Sequence, residues 1–382
     1  MAHHPDTDAP YCMPQLPQEL SDKVIDEVGS DLPTLRNCSL VCRGWLPRSA
    51  KSLFSHAEVH VRSVWNDAEL IRTLLAPGRV SYNVTTLSLH KANFDEWRVV
   101  KELPRLHTLT VYCCYMCGLP DAEMLVAIPG PLSSGRRIEV VDVQCVPLGA
   151  LDWLLHMFTG IDTLRVHCIT PWTATPPSTR HVVRSLRSQY NGHAVFRYLT
   201  ETLDATALEE LEIDVSGPFE RDDGHEALVE AFVQNVGREI KRYRHIDRLP
   251  MNYTPHPPNL SRCAKLTSAV LSTAALNPFY FPNDHERALA FLDALPPGVE
   301  HVRLTYMPYW ENAAELAAKV RQCSWGALGA VLLKYGRLSR LDISVEHMQP
   351  WRAFPQYLDD PALSEEIRQK LPERFRDMVN FV

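Results

Sequence analysis

The sequence predicts an α/β protein, with a small N-terminal three-helix module followed by an irregular arc of parallel strands that carries helices on its convex side. Three observations carry this prediction. Short amphipathic stretches follow one another between residues 16 and 55, apolar residues recur at positions i, i+3 and i+5 from about residue 56 onward, and helical stretches separate those strand signatures. The 382 residues exceed what a single core usually holds, in keeping with more than one unit.

Composition narrows the function classes. With 45% hydrophobic, 22% charged and 9% aromatic residues, the chain can bury a large core, and a mainly disordered protein is excluded. Lys and Arg total 39 against 46 Asp and Glu, a formal charge of −7, so no global basic field draws it to nucleic acid or anionic lipid. No apolar run approaches the ~20 residues that cross a bilayer. The opening Met1-Ala2-His3-His4-Pro5-Asp6 lacks the basic-then-apolar order of a secretory signal, which predicts a cytoplasmic or nuclear protein. The 10 cysteines are then expected as free thiols, and the sequons at Asn37, Asn83, Asn252 and Asn259 carry no meaning.

Residues 1–15, rich in Pro, Asp and His, have no periodic apolar pattern and read as a disordered leader. Pro17 suits a first helical turn, after which Leu20, Val24, Ile25 and Val28 recur at helical spacing until Gly29. Asp31 can cap a second helix with Pro33 in its first turn and Leu35, Cys38, Val41 and Cys42 along one stripe. Gly44 breaks it before Trp45, and Pro47 opens a third helix carrying Ala50, Leu53 and Phe54. So small a unit buries too little to be secure alone, which leaves two readings: an interface for another polypeptide, or a cap on the larger domain behind it.

Leu16-Pro17-x-Glu19-Leu20, then Ile25, then Ser39-Leu40-Val41-Cys42-Arg43-Gly44-Trp45 resemble the F-box, and the extension Trp45-Leu46-Pro47-Arg48-Ser49, running to Leu53-Phe54, is similar to the version common among mushroom-forming fungi. The resemblance covers about residues 14–55, with the three-helix module itself at 16–55. It implies docking on a Skp-type adaptor bound to a cullin scaffold in a ubiquitin ligase, with no cofactor and no catalysis by this chain. It also implies that Leu16, Pro17, Leu20, Ile25, Leu40, Val41, Cys42 and Trp45 form the adaptor face and its support. Gly44, in place of the commoner basic or polar residue, and the helix-shortening Pro33 and Pro47 depart from the family pattern.

In the body, residues 56–350, eight segments show the i, i+3, i+5 signature: Val84/Leu87/Leu89, Leu106/Leu109/Val111, Ile138/Val141/Val143, Ile161/Leu164/Val166, Leu208/Leu211/Ile213, Leu266/Ala269/Leu271, Val299/Val302/Leu304 and Leu338/Leu341/Ile343. Between them lie amphipathic stretches at 94–103, 122–128, 150–158, 194–203, 226–236, 286–295 and 324–335. The residues that alternate with the last two apolar positions point to the opposite side. These are Ser88, Thr110, Asp142, Arg165, Glu212, Val270, Arg303 and Asp342, a mostly polar set that would line a concave sheet. The pattern resembles a leucine-rich repeat, although most units lack the Asn or Cys that follows the third apolar residue. A doubly wound α/β sheet is the rival, since it shows the same alternation without the strand signature.

Pro-rich breaks at 171–177, 250–258 and 278–282 interrupt the run, and Tyr253, Phe279, Tyr280 and Phe281 within them are either ligand anchors or satellite core. The tail, 351–382, with Trp351, Phe354, Tyr357, Leu363, Ile367, Leu371 and Phe375, reads as a terminal cap.

The usual catalytic and nucleotide-binding motifs are missing, and 16 glycines leave little material for one. Cys113, Cys114 and Cys117 lack the paired spacing of a structural zinc site, so no metal is expected. His225-Glu226 and His285-Glu286 lack a downstream histidine and read as surface residues at helix starts. The stretch Arg238, Lys241, Arg242, Arg244, His245, Arg248 reads as a solvated helix end or as a grip for phosphate or acidic peptide, and Arg180, Arg184 and Arg187 as one helical face. The functional expectation is the substrate-recognition subunit of a Skp-cullin-F-box ligase with an unknown target protein. The alternatives are an F-box scaffold outside the ligase and an α/β enzyme without a recognisable motif.

Overall fold

The computed structural model describes residues 16–29, 31–60, 81–90, 99–112, 136–169, 180–189, 191–215, 225–247, 258–273, 281–307, 313–345 and 361–381. The leader, the helix expected at 122–128, the Cys113 group, Tyr253, Phe279, Tyr280, Trp351, Phe354 and Tyr357 lie outside them. Two compact units result, one of residues 1–88 and 95–106 and one of residues 89–94 and 107–382. No helix among the described residues is long and apolar enough to cross a membrane.

In the first unit, α1 (Gln18–Val28), α2 (Leu32–Val41) and α3 (Leu46–Leu53) follow the expected punctuation. Pro17 precedes α1, and its carbonyl accepts the N–H groups of Leu20 at 3.0 Å and Ser21 at 3.1 Å. Gly29 ends the helix at φ 62°, where a Cβ would be strained. Asp31 caps α2 by accepting from the Thr34 hydroxyl at 2.6 Å and from its N–H at 3.4 Å. Pro33 and Pro47 sit in first turns, where a missing N–H costs nothing. Ile25, Leu35 and Cys38 form the core, with Val28, Trp45 and Leu53 packed against it. Arg48 on α3 clasps Asp26 on α1 in a two-pronged ion pair, and these hydrogen bonds hold the Asp26 carboxyl below its ordinary range. Beyond the helices lie β1 (His56–His60), the start of β2 (Thr86–His90) and α4 (Val99–Glu102).

The second unit is a parallel α/β ladder. Its strands are β3 (Thr108–Tyr112), β4 (Arg137–Gln144), β5 (Gly160–His167), β6 (Val183–Gln189), β7 (Glu210–Asp214), β8 (Arg242–Asp247), β9 (Ser268–Thr273), β10 (His301–Tyr306), β11 (Arg340–Val345) and β12 (Val379–Phe381). They lie side by side in chain order, each parallel to the last. A doubly wound sheet would reverse its strand order at a switch point, and this ladder does not.

The helices are α5 (Leu148–His156), α6 (His193–Thr202), α7 (His225–Val236), α8 (Phe281–Ala294), α9 (Ala313–Gln322), α10 (Trp325–Leu332), α11 (Pro361–Lys370) and α12 (Glu373–Arg376). Rings link them to one another and to the sheet's buried face: Phe196 to Phe232 at 5.5 Å, Tyr243 to Phe291 at 6.3 Å and His285 to Tyr306 at 6.4 Å between centroids.

Backbone hydrogen bonding explains the i, i+3, i+5 spacing. The two residues between the first and second apolar positions both donate their N–H groups to one carbonyl of the preceding strand unit. Glu139 and Val140 donate to His107, Lys241 and Arg242 to Glu209, Thr267 and Ser268 to Lys241, Glu300 and His301 to Thr267, and Ser339 and Arg340 to Glu300, all between 2.8 and 3.2 Å. This step spends two residues before period-two alternation begins, so buried positions fall three and then two apart.

Register also corrects the sequence reading. Leu186 aligns with Leu164 and Leu211, and Tyr243 aligns with Leu211 and Ala269. Val183/Leu186/Ser188 and Ile240/Tyr243/His245 are therefore further strand units, filling the gaps on either side of Leu208. Arg184 and Arg187 stand on β6 and not on a helix, and Lys241 to His245 run into β8 instead of ending a helix. Phe281 and Pro282, expected in a break, open α8, and His285, expected at the surface, is buried with Nδ1 3.2 Å from the Tyr306 hydroxyl. The tail buries Leu363, Ile367, Leu371 and Phe375 and then adds β12 beside β11.

Candidate interaction surfaces

The helical module has two apolar sides. Ser21 and Ile25 turn inward on α1, whereas Leu20 and Val24, one turn apart, remain about half exposed. Leu16 is 50% exposed, Leu40 is 82% and Val41 is 62%, and Leu32 and Leu46 are also exposed. Pro17 and Cys42 are exposed, Trp45 is half-buried against the core, and Ile25 is wholly inside it. Of the residues implied by the resemblance, Leu16, Pro17, Leu20, Leu40, Val41 and Cys42 are accessible, whereas Ile25 belongs to the core and Trp45 packs against it. An 82% exposed leucine at the end of a helix with a three-residue core is a large uncovered apolar side chain for so small a unit. Gly44 lies beside Gln18, whose Nε2 donates to its carbonyl at 3.0 Å, so the turn before α3 is tied to the start of α1.

The second surface is the polar side of the ladder. Thr110, Asp142, Arg165, Arg187, Glu212, Arg244, Val270, Arg303, Asp342 and Asn380 fall into one continuous register row. Thr110 to Asp342 is the row predicted from sequence, completed by Arg187 and Arg244 from the two unrecognised units, whereas Ser88, expected on the same exposed side, is buried. Opposite charges pair across neighbouring strands in part of it: Arg165 lies 3.8 Å from Asp142, and Glu212 lies 3.8 Å from both Arg187 and Arg244. At the strand starts, Glu209 accepts from Lys241 at 2.9 Å and Arg184 at 3.1 Å, and these hydrogen bonds lower its carboxyl pKa.

The far end of the row is closed by its own contacts. Asp342 is buried and accepts from Arg340 at 2.8 Å, His301 at 3.0 Å and Asn380 at 3.2 Å. Burial pushes its carboxyl up, but those hydrogen bonds outweigh burial and leave it below its ordinary range. The next row is buried along Asp214, Ile246, Ser272, Thr305 and Ser344. The open part of the polar side is therefore the strip over β4 to β8, where Arg165, Arg187 and Arg244 are each about half exposed.

Cys38, Cys42, Cys145, Cys168, Cys263 and Cys323 are free thiols. Among the described residues, one cluster of possible metal ligands, Asp152, His156 and His181, belongs to neither surface. The sequence reading missed it because its members sit on a helix and on a separate bridge residue, with no local spacing to mark them. No protein-family model matches the chain, and no curated protein proves similar to it.

Proposed function

We propose that this chain is an F-box protein: a substrate-recognition subunit whose helical module binds a Skp-type adaptor on a cullin scaffold, and whose ladder, a leucine-rich-repeat-like domain, binds a target protein. The observation that carries the reading is the uncovered Leu16, Leu20, Leu40 and Val41 on a module whose apolar core is centred on Ile25, Leu35 and Cys38. Those residues coincide with the Leu-Pro and Val-Cys-x-x-Trp positions of the resemblance.

Asn191 supports the repeat reading. It stands three residues after Ser188, the place of the characteristic Asn in such a repeat, and it bonds to the backbone of the preceding unit. The role is positional: the subunit raises the local concentration of target lysines near a ubiquitin-conjugating enzyme on the scaffold.

Co-expression of the full chain with a Skp-type adaptor and a cullin tests this. The wild type is expected to co-purify with both, and a Leu16→Ala/Pro17→Ala double variant with neither. Undiminished recovery of the double variant removes the ligase reading, and recovery of adaptor without cullin reassigns the chain to a scaffold outside the ligase.

A further inference from the structure

We propose that Asp152, His156 and His181 bind a divalent transition-metal ion of the zinc class, clipping α5 to the segment that leads into β6. Asp152 and His156 stand one turn apart on α5, which puts both side chains on one face, and His181 reaches the same place from the next unit. One ligand atom of each residue lies within 4.8 Å of the others. Zinc–nitrogen bonds of about 2.0–2.1 Å place tetrahedral ligands about 3.3 Å apart, so modest rotations of the partly exposed Asp152 and His156 close the site.

Four features favour an ion over simple packing. First, His181 is 8% exposed, and its Nε2 is buried without a hydrogen-bond partner. A buried polar atom left in that state needs a reason. Second, its backbone is pinned on both sides, the N–H donating to Thr202 at 2.7 Å and the carbonyl accepting from Asp204 at 2.9 Å, so the ring is held in place.

Third, the His156 Nδ1 donates to the Asp152 carbonyl at 2.8 Å. That fixes the tautomer with the lone pair on Nε2, as backbone carbonyls commonly do for metal-bound histidines. Fourth, the Asp152 carboxylate is oriented by the Tyr198 hydroxyl from α6, which donates to it at 2.6 Å. The two imidazoles meet edge to face, 4.6 Å between centroids. Two imidazoles and a carboxylate suit zinc, and a water completes the tetrahedron. The half-exposed side formed by Asp152 and His156 is the way in.

The test uses the full chain, stripped with a chelator, then titrated with Co²⁺ followed by visible absorption and with Zn²⁺ followed by thermal melting. The wild type is expected to bind one equivalent of Co²⁺ with tetrahedral d–d bands and to melt higher with Zn²⁺. His181→Gln and Asp152→Asn, each checked for native far-UV circular dichroism, are expected to lose that equivalent. Tyr198→Phe is expected to weaken binding about tenfold. Absence of the Co²⁺ bands in the wild type, or an equal stoichiometry in His181→Gln, overturns the proposal, as the ion would then bind nowhere or elsewhere, for example at His3 and His4.

Discussion

The Asn191 side chain accepts the amide N–H of Ile169 at 2.9 Å and donates to the carbonyl of Val166 at 2.8 Å, so one residue of the β6 unit satisfies two backbone groups at the end of the β5 unit. A third bond runs to the Ser188 hydroxyl at 2.9 Å, and the whole cluster is buried. Because a buried backbone group left unpaired costs about 1–3 kcal/mol, Asn191→Leu is expected to destabilise the ladder by at least ~2 kcal/mol. Chemical denaturation followed by tryptophan fluorescence measures this, and a change under ~0.5 kcal/mol would show that water replaces the side chain without loss.

Ile25 and Leu40 should behave as opposites. Ile25→Ala empties a core of very few residues and is expected to cost about 2–5 kcal/mol, enough to unfold the module. Leu40→Ala removes an exposed side chain and is expected to change stability by less than ~0.5 kcal/mol. Limited proteolysis of the N-terminal 55 residues distinguishes them, with rapid cleavage expected in the first variant alone.

Much of this architecture is readable from the chain. The caps Pro17, Asp31 and Pro47 act through local backbone chemistry and mark their helices without help from the fold. The repeat was legible wherever all three buried positions were apolar. It was hidden where tertiary context let a polar residue take the third position: Ser188 is buried through its bond with Asn191, and His245 through its contact with Tyr243, 3.0 Å from ring nitrogen to hydroxyl. The basic stretches were misread for the same reason, since Arg187 and Arg244 acquire their meaning from register with Glu212, which no local window contains.

Register makes Glu212 the common counter-charge of Arg187 and Arg244. Glu212→Lys would line up cations on β5, β6, β7 and β8. It is expected to lower the melting temperature at low salt, by the equivalent of about 1–2 kcal/mol for two cross-strand pairs reversed, with the loss shrinking as ionic strength rises. Melts at two salt concentrations check this, and a loss independent of salt would contradict it.

His245 gives the ladder an acid sensitivity. Burial lowers its pKa from 6.5 to about 4, so between those values the unfolded chain takes up a proton that the folded chain refuses. Its contribution is complete above about pH 6.5, falls away as pH drops through that window and levels off below pH 4. The shift corresponds to a loss on the order of 3 kcal/mol. His245→Leu is expected to flatten the stability profile between pH 6.5 and 4 relative to wild type, and parallel profiles would contradict the assignment.

Titration calorimetry of the full chain against a purified Skp-type adaptor, comparing wild type with Leu40→Asp, bears most directly on what the helical module is for. A buried interface anchor of this kind costs at least ~2 kcal/mol when removed, so the variant is expected to bind more than 30-fold more weakly while melting at the wild-type temperature. Equal affinity in the two proteins, or no binding by the wild type, would contradict the account.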